Sequence, residues 1–452
     1  MDQCDIDSNT DLICACKKGL KEVALALLKH PGGCKIDHVN DEGNTALTWA
    51  CYNSMTAVAL ELLKHPNECK IDRVNTYGNT ALIYACMKNL KGVVLELIKY
   101  PNECKIDQVN SAGGTALIWA CCNNMGEVAS ELLKYPDKCK IDQVNSTGNT
   151  ALIWACCNNM DEVALELLKY PDKCKIDQVN DTVNTALIWA CCNNMKEVAL
   201  ELLKYPDKCE IDQVNNKGET ALIWACYKGM KEVALELLKH PDECKIDQVI
   251  IDSDTALILA CDKGMKEVAL ELLKHPDKCK IDQVSIGGDT ALILACRRGM
   301  KEVALELLKY PDKCKINQVT SHGNTALILA HKNNMTSVVN IIASNIDIIE
   351  VIQLSQAQKE LLGIYFDKKI NELPNKEDIQ LRQKELNDMT DKIKTMSKEG
   401  TCIVCLDETN NNTMFIKCRH ILNICDECIC VTNKKCPVCS ITTDIITGCF
   451  VI

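Results

Sequence analysis

The chain repeats itself every 35 residues. The triplet Thr-Ala-Leu occurs nine times at this interval, and a worn tenth copy, NTDLICACKKG, places Thr10 one interval earlier. One such unit cannot bury its own apolar face, so the copies must stack against each other. The ten copies span residues 1–345 and predict a stack of repeats. The threonines of the intact triplets are Thr45, Thr80, Thr115, Thr150, Thr185, Thr220, Thr255, Thr290 and Thr325.

A well-preserved unit, CKIDQVNSTGNTALIWACCNNMDEVALELLKYPDK, indicates the local structure. Thr150 precedes ALIWACC, where its hydroxyl would accept a free backbone amide at the start of a helix. After the turn NNM, the segment DEVALELLKY places Val163, Leu167 and Leu168 on one face of a second helix. Pro171 prevents that helix from continuing. Each repeat is therefore predicted to be two helices followed by a polar, hairpin-like connector.

The segment NSTGNTALIWACCNNMDEVALELLK resembles an ankyrin repeat in its order of glycine, threonine, short helix, turn and second helix with paired leucines. It departs from that family at Ala151, where proline is usual, and at Ile153, where histidine is usual. Its period is also two residues longer than usual. The resemblance implies a mostly α-helical ankyrin-repeat solenoid. The near-identical units, rich in Asn, Ile and Lys, are also similar to ankyrin proteins of giant DNA viruses of amoebae.

Cysteine is abundant, with 32 in 452 residues. The N-terminus has no secretory pattern, so we expect an intracellular protein with reduced thiols. Nine cysteines share one connector position and eleven lie at the end of the first helix. Neighbouring helices pack about 8–10 Å apart, whereas a disulfide needs Cα atoms roughly 4.4–6.8 Å apart. These cysteines, and the five tryptophans that share one helix position, are therefore predicted to be packing residues.

The net charge of −11 argues against nucleic-acid binding, which normally requires a basic face. No apolar stretch reaches the ~18–20 residues needed to cross a bilayer. We therefore expect a cytoplasmic protein, in the host-cell cytoplasm if the chain is viral, with neither nucleic acid nor a membrane as a partner.

The last 51 residues contain nine cysteines that do not follow the 35-residue interval. Eight Cys and His side chains form three Cys-x2-Cys pairs and one Cys-x-His pair. Two intervening residues let both thiolates face one metal, and Zn²⁺ prefers four soft N or S ligands in a tetrahedron. The series therefore predicts two zinc ions. The ligands are Cys402, Cys405, Cys418, His420, Cys425, Cys428, Cys436 and Cys439.

The order of these ligands resembles a RING finger, a small zinc-bound domain, over residues 402–439. The resemblance implies alternating pairs, in which the first and third pairs bind one ion and the second and fourth bind the other. The gap of four residues after His420 is one longer than usual in the family. Cys430 therefore remains an alternative to Cys425.

RING domains generally act as ubiquitin ligases, which dock a ubiquitin-conjugating enzyme and orient its thioester for attack. By resemblance, the docking surface would use Val404, Val431 and Pro437. Internal packing of a very small domain is the alternative role of the two valines. Ser440 follows the last ligand, where the family often has an arginine that clamps ubiquitin, and this departure weakens the expectation of ligase activity.

The C-terminal segment DIITGCFVI resembles the end of RING domains of the inhibitor-of-apoptosis kind. Phe450 stands eleven residues after Cys439, where that family has an aromatic residue. The resemblance implies a strand that pairs two RINGs in a homodimer and contacts ubiquitin on the partner's bound enzyme. A frayed apolar tail is the alternative. The RING finger and this strand make up residues 401–452.

Residues 346–400 carry no repeat and are predicted to be a helical spacer. Ile379, Leu386 and Ile393 lie seven residues apart, as in a heptad seam, and Arg382 interrupts one position. A short dimeric coiled coil and a charged helical spacer remain two alternatives.

Partner recognition is expected where these near-identical repeats differ. In the ankyrin family, partners are usually held by the loop tips and the exposed end of the first helix. The last four repeats carry cations there, beside three isoleucines that we expect to be exposed, Ile250, Ile251 and Ile286, whereas the central repeats carry Cys-Asn. We predict that this face binds an acidic protein substrate, and a solvated charged face is the alternative. The cations are Lys228, Lys263, Arg297, Arg298 and Lys332.

These features predict a RING-type ubiquitin ligase whose repeats select a protein substrate and whose RING brings the conjugating enzyme. The alternative is a non-catalytic ankyrin scaffold that sequesters a partner and uses the RING to dimerise. A metal-dependent hydrolase is disfavoured because the eight ligands leave no open coordination position.

The tail is predicted to bind two zinc ions, whose binding energy is also its folding energy, on the order of 10–16 kcal/mol per ion. A tail with so few large apolar residues cannot build a sufficient core without metal. Cys436→Ser should therefore unfold the tail and leave the repeats intact, as measured by metal analysis and circular dichroism. A stoichiometry near one ion, or none, would contradict the paired arrangement.

Overall fold

The computed structural model describes residues 10–29 and 35–345. The predicted spacer, RING finger and zinc ligands lie outside these residues. The chain divides into two compact units, Met1–Lys280 and Ile281–Ile452. The described part of the first unit contains eight helix pairs, and that of the second contains two. The predicted mostly helical stack of repeats is confirmed for this part of the chain.

Each described repeat contains two short antiparallel-packed helices, as the sequence pattern predicts. The first helices are α1 Asp11–Lys17, α3 Ala46–Tyr52, α5 Ala81–Met87, α7 Ala116–Cys122, α9 Ala151–Cys157, α11 Ala186–Cys192, α13 Ala221–Lys228, α15 Ala256–Asp262, α17 Ala291–Arg297 and α19 Ala326–Lys332. The second helices are α2 Lys21–Leu28, α4 Thr56–Leu62, α6 Lys91–Ile98, α8 Gly126–Leu133, α10 Asp161–Leu168, α12 Lys196–Leu202, α14 Lys231–Leu237, α16 Lys266–Leu273, α18 Lys301–Leu307 and α20 Thr336–Asn345. Among these helices, none combines the length and apolar character that crossing a bilayer requires.

The repeated threonine starts each first helix. At α9, the backbone of Thr150 is extended, and its hydroxyl accepts a hydrogen bond from the Ile153 amide at 3.2 Å. This contact satisfies one of the amides that the first turn of a helix leaves without a partner. An N-cap of this kind stabilises a helix by about 1 kcal/mol. The predicted capping role of the repeated threonine is confirmed.

The apolar face of each helix pair is buried against the neighbouring pairs. In α10, the side chains of Val163, Leu167 and Leu168 are all buried, which confirms the predicted face. First helices contact first helices, as α7, α9 and α11 do, and second helices contact second helices, as α8, α10 and α12 do. Burying a leucine fully contributes roughly 1.5–3 kcal/mol, so the contacts between repeats contribute substantially to stability.

The connectors are turns rather than hairpins with regular strands. Within the described residues, the pairing between strands is limited to one isolated bridge, Val249 with Thr255. Successive connectors are joined by a backbone hydrogen bond, such as that from the Ser146 amide to the Ala112 carbonyl at 2.8 Å. These bonds set the spacing of neighbouring connectors within a unit.

The repeat cysteines are packing residues, as predicted. All eight described connector cysteines are buried, and the described cysteines carry free thiols. Burial raises the pKa of the Cys139 and Cys174 thiols to about 12, because a thiolate loses its hydration inside the protein. These thiols are therefore poor nucleophiles near neutral pH.

Val183 occupies a left-handed backbone position that the neighbouring repeat gives to glycine. Gly148, one repeat earlier, has φ +75°, and a Cβ there would lie 2.8 Å from the Asn180 Cα. Val183 has φ 61°, a conformation that a β-branched residue rarely adopts. The bond from the Asn216 amide to the Thr182 carbonyl is correspondingly long, at 3.4 Å. The side chain of Val183 therefore strains this connector.

Val183→Gly should stabilise the repeats by roughly 1 kcal/mol, because releasing a strained backbone gains about 1–3 kcal/mol and the added flexibility of glycine costs part of that gain. The shift is measured as the midpoint of urea unfolding. The matched exchange Gly148→Val should lower the midpoint. If both variants unfold at the wild-type midpoint, strain at this position is too small to matter.

Candidate functional site

One position near the end of the first helix differs between repeats in a way that changes the contact between them. It lies two residues after the cysteine that is buried near the end of the first helix, and we call it the helix-end position. In several repeats an asparagine stands there and bonds to the preceding repeat. Asn158, for example, donates to the carbonyl oxygens of Cys121 and Cys122 at 2.8 and 3.0 Å. These carbonyls lie at the end of α7, where a helix leaves carbonyl groups without an intrahelical donor. The Cys121 oxygen also accepts the Asn124 amide, at 3.2 Å. The asparagines that do this are Asn53, Asn123, Asn158, Asn193 and Asn333.

A cation replaces this asparagine in the remaining repeats that follow another described repeat. The replacements are Lys88, Lys228, Lys263 and Arg298, and all four side chains are exposed. In the first unit, the ammonium groups of Lys88, Lys228 and Lys263 lie over aromatic rings. The helix-end position therefore holds either an asparagine that donates hydrogen bonds to the preceding repeat or a cation that is exposed to solvent.

Two of the predicted substrate-binding cations meet at one tyrosine. The Lys228 and Lys263 ammonium groups lie 5.5 and 5.2 Å from the centroid of the Tyr227 ring. Trp224 packs edge-on against that ring, with centroids 5.5 Å apart, and Lys228 also lies 5.5 Å from the Trp224 centroid. Tyr227 remains 47% exposed. We call Trp224, Tyr227, Lys228 and Lys263 the Tyr227 cluster, a surface that offers positive charge and an aromatic ring.

A similar arrangement lies near the start of the described chain. Trp49, Tyr52 and Tyr84 form a row of edge-on rings, with centroids 5.5 and 5.3 Å apart. Lys17 lies 5.6 Å from the Trp49 centroid and Lys88 lies 4.9 Å from the Tyr52 centroid. In this Tyr52 cluster each cation therefore contacts its own ring, whereas the Tyr227 cluster places two cations on one ring.

Three half-buried cysteines occupy the position of Tyr227 in the central repeats. Burial raises the pKa of the thiols of Cys122, Cys157 and Cys192. The nearby Lys228 lowers the Cys192 pKa in part, and Lys217 acts in the same direction, while Glu219 raises it. The net shift is upward, so this row does not have the low pKa of catalytic cysteines.

The other predicted cations belong to the second unit. Arg297 pairs with Asp289, with 2.5 Å from Nη2 to Oδ1 and 3.4 Å from Nη1 to Oδ2. Arg298 and Lys332 are exposed. The guanidinium of Arg297 is thus already engaged by a carboxylate of its own repeat, which reduces the charge that it offers to a partner.

Two of the three predicted loop-tip isoleucines are exposed to solvent, and the third is half-buried. Ile251 and Ile286 are 78% and 74% exposed, as expected for residues at a binding surface. Ile250 is half-buried, and its amide bonds to the Asp254 carbonyl at 3.1 Å inside the connector. The expectation that all three are exposed is therefore wrong for Ile250.

A shallow groove of about 630 Å³ lies between α8 and α10. Gly126 and Ser130 stand where most other repeats carry Lys and Leu, so their small side chains leave this space open. Two lining carboxylates are already paired, Glu127 with Lys91 and Glu131 with Lys134. The groove does not present the convergent polar groups of a catalytic site.

The predicted RING residues cannot be placed against this surface, because all of them lie outside the described residues. They comprise the eight zinc ligands together with Val404, Val431, Pro437 and Phe450. Within residues 10–29 and 35–345, no group of three or more His, Cys, Asp or Glu side chains could hold a metal ion.

The sequence analysis identified the cations but missed the aromatic residues that organise them. Trp224 was predicted only to pack, although its spacing of three residues from Tyr227 and four from Lys228 puts all three side chains on one helix face. That spacing was the available signal. The contact of Lys263 with Tyr227 had no such local signal, because the two residues belong to different repeats.

A family model supports the repeat assignment. A family model described as ankyrin repeats (three copies) matches residues 12–108, 91–180, 172–250 and 257–351. The crystal structure of the human ASB11 ankyrin repeat domain matches with 22% identity and a TM-score of 0.37, over 51% of this chain and 97% of that chain. A comparison with curated proteins found no match.

Exchanging the two kinds of helix-end residue should change stability in opposite directions. Lys228→Asn restores a donor for the carbonyls of Cys191 and Cys192 and should raise the urea midpoint by the equivalent of about 1 kcal/mol, since a net hydrogen bond contributes roughly 0.5–1.5 kcal/mol. Asn158→Lys removes both of its bonds, at a position where Cys157 provides no ring for the ammonium. Its urea midpoint should fall by a similar amount. A lower midpoint in both variants would contradict the opposite effects of the two residues on stability.

Proposed function

We propose that this chain, which belongs to the ankyrin-repeat family, is a ubiquitin ligase. Its repeats recruit a protein substrate, and its C-terminal RING docks a ubiquitin-conjugating enzyme. The observation that carries the proposal is the union, in one chain, of a protein-binding stack with eight ordered zinc ligands between Cys402 and Cys439.

Ankyrin repeats suggest protein–protein interaction, and the distribution of variation in the described repeats agrees with that role. Buried positions hardly change: the residue equivalent to Leu152 is a buried leucine in every intact triplet. The helix-end position instead varies between asparagine and exposed cations. Folding therefore explains the constant positions, and partner recognition is our explanation for the variable ones.

The RING part of the proposal rests on the chemistry of its donor set. Seven thiolates and one imidazole are soft N and S ligands, which fit two tetrahedral Zn²⁺ sites. The two ions would supply folding energy to the tail and would take no part in bond making. Val404, Val431 and Pro437 would contact the conjugating enzyme, so that catalysis consists of holding its thioester near the substrate lysine.

The second candidate function is a non-catalytic scaffold that sequesters its partner. Ser440 favours this alternative, because it stands where RING ligases often have the arginine that clamps ubiquitin. In both cases Phe450 would join two tails into a homodimer. For both candidate functions we place the protein in the cytoplasm, or in the cytoplasm of a host cell if the chain is viral.

The full chain, loaded with zinc, should form ubiquitin conjugates on itself when mixed with activating enzyme, ubiquitin and a panel of conjugating enzymes. Val404→Ala should reduce conjugate formation on the order of tenfold, since it removes an apolar contact at the docking surface. Ser440→Arg should increase it by restoring the clamp. Conjugates are measured by immunoblot against ubiquitin.

Zinc content of each variant serves as the control, because a tail that has lost metal would be inactive for a trivial reason. Two ions per chain with no conjugates across a broad panel would reject the ligase and favour the scaffold.

A further inference from the structure

Because the repeats are nearly identical, comparing them shows what each type of residue does at the helix-end position. Asn193 shows what this position does for the stack, since it donates to the carbonyl oxygens of Cys156 and Cys157 at 2.8 and 2.9 Å. Lys228, one repeat later, gives up both bonds and points an exposed side chain toward aromatic rings. Lys263 repeats this exchange in the next repeat. These two consecutive repeats thus lack a stabilising contact that the repeat of Asn193 keeps.

The folded chain neutralises only part of the charge that this exchange introduces. Within the described part of the chain, no carboxylate lies within 4.0 Å of the Lys228 ammonium, and Lys263 reaches only Asp262 at 3.8 Å. Both ammonium groups lie over the same Tyr227 ring, where they repel each other. A third cation, Lys217, is near enough to Cys192 to act on its thiol together with Lys228. Glu219, on the same side, already accepts a hydrogen bond from Asn215 at 2.8 Å.

The aromatic part of the cluster is also available to a partner. Tyr227 is 47% exposed, and among residues 10–29 and 35–345 its one edge-on neighbour is Trp224, whereas Tyr52 in the other cluster lies between two rings. Exposed aromatic residues beside basic ones are the composition that is enriched where protein interfaces gain most of their binding energy. The cluster therefore offers both a charge to neutralise and a ring to cover.

We propose that the Tyr227 cluster docks an acidic segment of a protein partner. A carboxylate of that segment lies between the ammonium groups of Lys228 and Lys263, and a neighbouring apolar side chain covers the ring of Tyr227. This assignment rests on the proposed protein-binding role of the repeats, and it specifies an acidic partner for the Tyr227 cluster. It does not depend on ubiquitin transfer.

The inference is tested by selecting peptides on the full chain from a phage-displayed library of random dodecapeptides, after depletion on the double variant Lys228→Asn/Lys263→Asn. The enriched peptides should carry clustered Asp and Glu beside an aromatic or aliphatic residue. Their affinity, measured by fluorescence anisotropy, should fall on the order of tenfold or more in the double variant and should weaken as salt is added.

Two controls separate charge from folding and location. Lys17→Asn/Lys88→Asn removes the two cations of the Tyr52 cluster and should bind the selected peptides as the wild type does. Lys228→Arg/Lys263→Arg keeps the charge and should retain most of the affinity. The urea midpoint of each variant shows that it is folded, and the asparagine variant should be at least as stable as the wild type.

Several outcomes would overturn the inference. Enriched peptides without acidic residues, equal binding by the wild type and the depleting variant, or equal losses at both clusters would each do so. Equal competition by a single-stranded DNA oligonucleotide of matched charge would mark a general polyanion surface instead. Failure of ubiquitin transfer with intact peptide selection would reject the ligase and leave this docking site standing.

Discussion

Burial of one helix pair against the next is the interaction on which the rest of this structure depends. A pair such as α9 and α10 leaves an apolar face that only the neighbouring pairs can cover, so Leu152 and Leu167 are buried by their neighbours rather than by their own repeat alone. Stability in such a stack is approximately a sum of repeat and interface contributions. Interior positions are therefore held nearly constant, and the surface of each repeat remains free to vary.

The helix-end position shows how that freedom is limited. An asparagine there completes the preceding helix and strengthens the contact between repeats, as Asn158 does with Cys121 and Cys122. A lysine there forfeits these bonds and exposes a cation, as Lys228 does. Each exchange of asparagine for a cation loses one or two hydrogen bonds between repeats. A stack of this size can lose that much stability at a few positions and remain folded. Recognition and stability thus compete for the same side chain.

In the proposed ligase, the repeats and the tail are stabilised by different interactions. The repeats gain theirs from buried leucine and alanine, with cysteine as a small apolar residue whose raised pKa keeps it unreactive. The tail from Cys402 onward has too few large apolar residues for such a core, so we assign its stability to zinc. The same residue type therefore has opposite roles in the two parts: a protonated packing group in the repeats and, by our proposal, a thiolate ligand in the tail.

The sequence by itself determined the repeats, their helix pairs, the capping threonines and the buried faces, because a local period records which side chains face the core. It also supplied the ligand order of the tail, which lies outside the described residues. Only the tertiary structure decided which surface groups meet. Lys263 contacts Tyr227, and Asn158 bonds to Cys121, across about one repeat length, while Arg297 turns to Asp289 within its own repeat. These contacts depend on distances between side chains of stacked units, and no local pattern encodes those distances.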